Sequence, residues 1–218
     1  MKHTNQKTAV PTGRPRGRPV ETGQQNLKTQ ILDTAEQLFT DLGYAATSIR
    51  RIADTAGVNP ALIHYYFGNK HLLLQSVLER SLQPMAEAIA SLKDGTDASV
   101  QHIACLLIAM AAKHPNIPRL LAREVFLPGG EMQDYFINNL APKLGGALPA
   151  LLEREKSAGR IRHDADPVIS ALMIIAVCVF PFIARALAEP VLGVEFDADG
   201  VEKLTHNATQ LLKRGLTI

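Results

Sequence analysis

Apolar residues recur at helical spacing from residue 27 onward. In 27–42, LKTQILDTAEQLFTDL, the residues Leu27, Ile31, Ala35, Leu38, Phe39 and Leu42 share one face, while Lys28, Asp33, Glu36 and Asp41 fall mostly elsewhere. Gly43 follows as a left-handed stop. The next stretch, ATSIRRIADTAGV, reads as a shorter helix with Thr47 as its cap, Ile49, Ile52, Ala53 and Ala56 as its inner stripe, and Gly57 at its end. Asn59 and Pro60 are a cap and a first-turn proline for a third helix, PALIHYYF. Ile63 and Phe67, four apart, anchor that helix inward. Gly68 closes it, and Asn69 can cap the helix that begins KHLLLQSVLERSL.

Beyond Pro84 the pattern predicts helices over 85–93, 98–113, 117–127, 132–158, 166–188 and 198–214. They are parted by DGTD, HPN, PGGE, AGRIRHD and PVLGVEFDADG. Pro142, Pro149 and Pro181 are expected to kink or break their segments. No segment reads as a strand, so the predicted class is all-α.

The run PVISALMIIAVCVFPFIA, residues 167–184, carries no charge and sits at the lower limit for a spanning helix. It contains Ser170 and Pro181, lacks a Trp or Tyr belt and stands alone, so a helix buried within the protein or a subunit interface explains it better. No membrane association is expected. The start of the chain is polar and basic with no apolar h-region, which is not a secretory signal, and a cytoplasmic location is expected.

Charge changes the picture more than composition does. The net charge is only +2, but residues 1–70 hold nine Lys and Arg against five Asp and Glu, and the remainder hold fourteen against sixteen. The basic end is where a polyanion would be met. Cys105 and Cys178 sit inside apolar runs, at no disulfide or zinc spacing, and read as small core residues. His102 and Cys105 share a helical face, but two ligands without a third make a poor metal site. Neither a nucleophile elbow nor a phosphate-cradling glycine loop is present, so an enzyme, a metal and a cofactor are all unexpected.

Two helices joined by a short glycine-containing turn, the second small and well anchored, have the layout of a helix-turn-helix. A helical hairpin within a bundle has the same spacing. The major groove, about 12 Å wide, admits one helix, which the preceding helix holds against the base edges.

Residues 31–79 also resemble the DNA-binding domain of the tetracycline-repressor (TetR/AcrR) family. The resemblance rests on A-x-x-L-F in the first helix, on GY-x-x-T-S-I leading to I-A-x-x-A-G-V, and on L-I-H-Y-Y-F-G-N-K-x-x-L. It implies a homodimer that binds a double-stranded operator, each protomer placing its third helix in the major groove. It also implies a C-terminal helical bundle around a small-molecule effector pocket, with dimerisation through the last two long helices. The expected division is a disordered basic arm over 1–25, the helix-turn-helix domain over 26–72 and the effector-binding and dimerisation domain over 73–218.

Carried onto this sequence, Asn59, Pro60, Ala61 and His64 take base-reading positions, and Thr47, Tyr65, Tyr66 and Lys70 face phosphates. Arg50 can reach either. His64 departs from the family, which more often has Tyr there. For Tyr65 and Tyr66 a packing role stands beside the phosphate role, with one ring expected outside and the other partly in the core.

The pocket implied by the resemblance has Met85, Ile89, Cys105, Ile108, Arg123, Phe126, Met173 and Val177 as candidate lining residues. Arg123 and Glu124 lie on a helix that otherwise reads as buried. They are expected either on a solvated face or as the few polar groups that orient a ligand. His114 and His163 read as surface or loop residues.

The arm has its own pattern. Residues 15–19, PRGRP, resemble the core of an AT-hook, in which Arg16 and Arg18 would enter a narrow A·T-rich minor groove on either side of Gly17. A basic tail that touches phosphates anywhere is the alternative.

Overall fold

A computed structural model of the chain describes residues 20–93 and 99–217, which form eleven α-helices. Four build the N-terminal head: α1 (Val20–Leu42), α2 (Ile49–Ala56), α3 (Pro60–Phe67) and the start of α4 (Lys70–Lys93). The rest are α5 (Val100–Lys113), α6 (Asn116–Leu121), α7 (Gln133–Tyr135), α8 (Leu148–Ser157), α9 (Pro167–Ile183), α10 (Arg185–Leu192) and α11 (Ala198–Leu216). The chain is all-α; the described residues hold one isolated β-bridge, Ile161 to Thr217, which ties the end of α11 to the loop after α8.

The head follows its local signals closely. Ile31, Leu32, Ala35 and Phe39 of α1 are buried, and Gly43 ends the helix at φ +86°. Asn59 Oδ1 accepts the Ala61 amide at 2.9 Å, and Pro60 opens α3. Ile63 and Phe67 are buried beneath that short helix. Asn69 Oδ1 accepts the Leu72 amide at 2.9 Å and starts α4.

Helix α2 is the exception, because its cap is Ser48, whose Oγ accepts the Arg51 amide at 3.1 Å. Thr47 is instead turned inward. Helix α1 also begins at Val20, inside the stretch expected to be a disordered arm. Residues 21–26 contain no apolar side chain, so hydrophobic spacing carried no signal there.

Two hydrophobic cores stabilise the molecule. The first joins α1–α4 to Ile117, Leu120 and Leu121 of α6 and to Val125, Met132, Leu140 and Leu144 beyond it. The second lies among α5, α8, α9 and α11, and Met85 of α4 packs against both. The expected boundary at residues 72 and 73 falls within the first turn of α4, and the head shares its core with residues 117–144.

Prolines act unequally. Pro84 is exposed and α4 runs straight through it, since water can take the carbonyl that it leaves unbonded. Around Pro142 the segment expected over 132–158 breaks into a π-type turn (Phe136–Leu140) and two 3-10 turns (Ala141–Lys143 and Gly145–Ala147) before α8. The segment expected over 166–188 is two helices, α9 and α10, bent by 74° at Ala184 after Pro181.

Asp166 starts α9 by accepting the Val168 amide at 2.8 Å and the Ile169 amide at 3.1 Å. One face of α9 is buried through Ser170, Ala171, Ile174, Cys178 and Phe182, whereas Val168, Ile169, Leu172, Met173 and Phe180 are exposed. The apolar run is therefore not enclosed within the single chain. Among the described residues no single helix is long and apolar enough to cross a membrane; α9 and α10 pass that test only as a bent pair.

Candidate nucleic-acid interface and effector cavity

Helix α3 presents Asn59, Ala61, His64 and Tyr65 outward, with Pro60 half-buried at its first turn. Tyr65 is 79% exposed, while Tyr66 packs against the first core, the two rings meeting edge-on at 5.2 Å. His64 Nδ1 lies 2.7 Å from the Gly68 carbonyl, which can only accept, so Nδ1 carries the proton. In the neutral ring, Nε2 is then left as an acceptor. Arg50 is exposed on α2 with only a loose 3.9 Å pairing to Asp54, and its guanidinium is free to reach outward.

Two residues expected at phosphates are engaged within the protein. Thr47 is 1% exposed, and its hydroxyl is directed to the carbonyls of Gly43 at 2.8 Å and Leu38 at 3.2 Å. That burial withdraws it from a surface donor's role; Ser48 is the exposed hydroxyl at this helix start. Lys70 Nζ donates to the Tyr44 carbonyl at 2.9 Å and sits 3.9 Å from the centre of the Tyr44 ring. Arg16 and Arg18 lie outside the described residues.

The turn between α1 and α2 is gripped from the middle of the chain. After α6 the backbone widens into a π-type turn, Ala122–Phe126, that carries Arg123 and Glu124. The Arg123 guanidinium donates to the Leu42 carbonyl at 2.8 Å and lies against Gly43 so closely that a Cβ there would come within 2.3 Å of it. Glu124 is buried, and its Oε1 accepts the Tyr44 amide at 3.0 Å. Burial, together with the nearby Glu131 and Glu124 carboxylates, raises the Tyr44 phenol above its ordinary pKa. Arg123 and Glu124 are thus neither a free solvated face nor ligand-orienting groups. They cap the end of α1.

A cavity of about 540 Å³ lies between α4, α5, α6, the turns after α7, and α9. Met85, Ile89 and Phe126 line it. Five other candidates do not. Arg123 is at Gly43, Cys105 is exposed, Ile108 and Val177 pack in the second core, and Met173 is on the exposed face of α9. The walls on α5 and α9 are instead formed by Leu107, Met110, His114, Leu172, Ala176 and Phe180. Several misplaced candidates lie one or two positions from a lining residue, and a single step on a helix is a rotation of about 100°. His114 was missed because nothing in KHPN distinguishes a loop histidine from one that ends a helix over a cavity. Among the described residues no cluster of three or more His, Cys, Asp or Glu could hold a metal ion.

Residues 31–77 match the family model for bacterial regulatory proteins of the tetR family, and residues 97–211 match that for the tetracyclin repressor-like C-terminal domain. The chain is similar to the HTH-type transcriptional repressor NicS of Pseudomonas putida, 26% identical over 157 residues that cover 70% of this chain and 74% of NicS. Two solved structures share the fold. One is the transcriptional regulator FadR from Bacillus subtilis in complex with stearoyl-CoA, at TM-score 0.67 and 22% identity, covering 86% of this chain and 98% of that one. The other is a SmeT–triclosan complex, at TM-score 0.67 and 21% identity, covering 89% and 93%. With a helix-turn-helix head and a matching C-terminal domain on one chain, the protein is a non-enzymatic DNA-binding transcriptional regulator and belongs to the TetR family.

Proposed function

We propose that the chain is a ligand-responsive repressor that binds a palindromic operator as a homodimer and lets go when the cavity is occupied. One observation carries the reading: a single segment belongs to both places. Leu121 and Phe126 line the cavity, and between them Arg123 and Glu124 hold Leu42 and Tyr44 at the α1–α2 turn. A ligand that moves Phe126 would bear on the seat of the helix-turn-helix. Two heads on one DNA must match half-sites about 34–36 Å apart, or a multiple of that, so a small tilt of each head costs affinity.

Dimerisation through α9 and α11 is supported by the apolar residues that the single chain leaves bare outside the cavity: Val168, Ile169 and Met173 on α9 and Leu211 on α11. Asn59, Pro60, Ala61 and His64 would meet base edges, with Arg50, Tyr65, Tyr66 and Lys70 at or near the backbone. Arg16 and Arg18 would enter the flanking minor groove. A small, mostly apolar effector accords with the cavity walls and with triclosan as the ligand of a fold relative. A cytoplasmic, nucleoid-associated location accords with this role.

The test is a mobility shift on DNA from the chain's own promoter region at rising salt. Affinity should fall steeply, because the counterions that Lys and Arg contacts release gain less entropy as the bulk salt rises. Replacing Arg16 and Arg18 together should weaken A·T-flanked operators more than G·C-flanked ones; equal losses would reduce the arm to a nonspecific tail. No shift on any promoter fragment would refute the repressor reading.

A further inference from the structure

The cavity walls say more about an occupant than its volume does. Among the described residues that line it there is no Asp, Glu, Lys or Arg, and its side-chain polar groups are those of Ser81 and His114. Ser81 is buried, and its hydroxyl donates to Glu36 Oε2 at 3.0 Å, so that proton is committed. His114 differs: its Nε2 is buried and has no hydrogen-bond partner among the described residues. Buried polar atoms are paired in the great majority of folded proteins, so an orphan nitrogen on a residue of the cavity wall asks for a ligand atom. The backbone that carries the ring is fixed. His114 ends α5, its amide donates to the Met110 carbonyl at 3.1 Å, and Pro115 follows.

Resting on the reading of this cavity as the effector site, we propose that its ligand is an uncharged, largely hydrocarbon molecule bearing one hydroxyl, and that His114 Nε2 receives that hydroxyl. A hydroxyl both donates and accepts, so it satisfies Nε2 in either tautomer of the ring. A carboxylate or phosphate would be carried into a wall without a cation to meet it. A second polar group at the far end of the molecule would face Leu, Ile, Val and Phe and stay unpaired. The volume, about 540 Å³, falls inside the range of about 300–1,000 Å³ that suits a molecule of drug or lipid-chain size.

Three probes of equal chain length separate these chemistries: decan-1-ol, decanoate and decane-1,10-diol, titrated calorimetrically into the full chain at pH 8 without DNA. Decan-1-ol should bind. Decanoate, ionised at that pH, should bind at least about tenfold more weakly, and the diol more weakly than the mono-alcohol. His114→Leu should weaken decan-1-ol about five- to tenfold, the loss of one hydrogen bond, and His114→Gln should recover part of it. The probe series uses the unaltered protein, so it holds even if a variant folds poorly.

Decanoate binding as tightly as decan-1-ol, no binding of decan-1-ol, or a folded His114→Leu protein with unchanged affinity would each overturn the assignment. Release of promoter DNA is measured separately. Binding in the expected order without release refutes the regulatory reading and leaves the ligand class standing. Release by decanoate in preference to decan-1-ol refutes the ligand class alone.

Discussion

Arg123 lies directly against Gly43, and replacing the glycine with alanine tests that contact quantitatively. Its φ of +86° is left-handed, which costs an L-residue about 1–2 kcal/mol. The new methyl group would also sit 2.3 Å from Arg123 Cζ. The guanidinium is the far end of a flexible side chain and can swing away, so the steric cost is small. What is lost is its 2.8 Å bond to the Leu42 carbonyl.

A charged donor bond is worth about 1.5–3 kcal/mol when shielded, and the Arg123 side chain is 48% exposed, so about 1 kcal/mol is expected. Gly43→Ala should therefore destabilise the protein by about 2–3 kcal/mol, and Arg123→Ala alone by about 1 kcal/mol. In the Arg123→Ala background, Gly43→Ala should retain only its backbone cost, which leaves a coupling of about 1 kcal/mol. Urea unfolding of the four proteins measures the cycle. Additivity within about 0.3 kcal/mol would show that Arg123 does not depend on the space above Gly43.

Three further outcomes are expected. With Nδ1–H held by Gly68, the Nε2 acceptor of His64 should favour adenine or cytosine, the bases that carry a major-groove amino group, on the strand that faces it; four equal affinities across the possible pairs would remove it from base reading. A thiol reagent on the native protein should modify exposed Cys105 quickly and Cys178 slowly, since burial pushes the Cys178 thiol up to about 12; equal rates would contradict that burial. Met173→Glu places a charge on the bare face of α9 away from the cavity and should shift sedimentation from dimer to monomer at micromolar concentration, whereas an unchanged dimer would place the interface elsewhere.

The head was legible in the sequence because its signals are local. A cap, a proline and a stop glycine fix α3 within eight residues, and Ile63 and Phe67 need only their own spacing to turn inward. Thr47 and Ser48 were harder, as either neighbour can cap, and the choice depends on where Gly43 and Leu38 place their carbonyls in space. The cavity was less legible. Helix α5 is apolar over most of its circumference, so periodicity could not say which side faces the second core and which the hollow; Ile108 went to the core and Leu107 to the wall.

Arg123 and Glu124 show the limit most plainly. Their partners Leu42 and Tyr44 are about eighty residues away, and no spacing rule links a π-type turn after α6 to the end of α1. Nor could sequence reveal that α9 would leave Ile169 and Met173 bare, because an apolar helix enclosed by its own chain and one awaiting a partner have the same composition.

The most direct test of α3 as the DNA-reading element is an anisotropy titration of a labelled promoter fragment with the unaltered chain and with the Arg50→Ala, His64→Ala double variant. Saturable binding at two protomers per palindrome, weakened by at least about tenfold in a variant that unfolds at the same temperature, is the expected result. Equal affinity for both proteins would place the DNA on some other surface of the molecule.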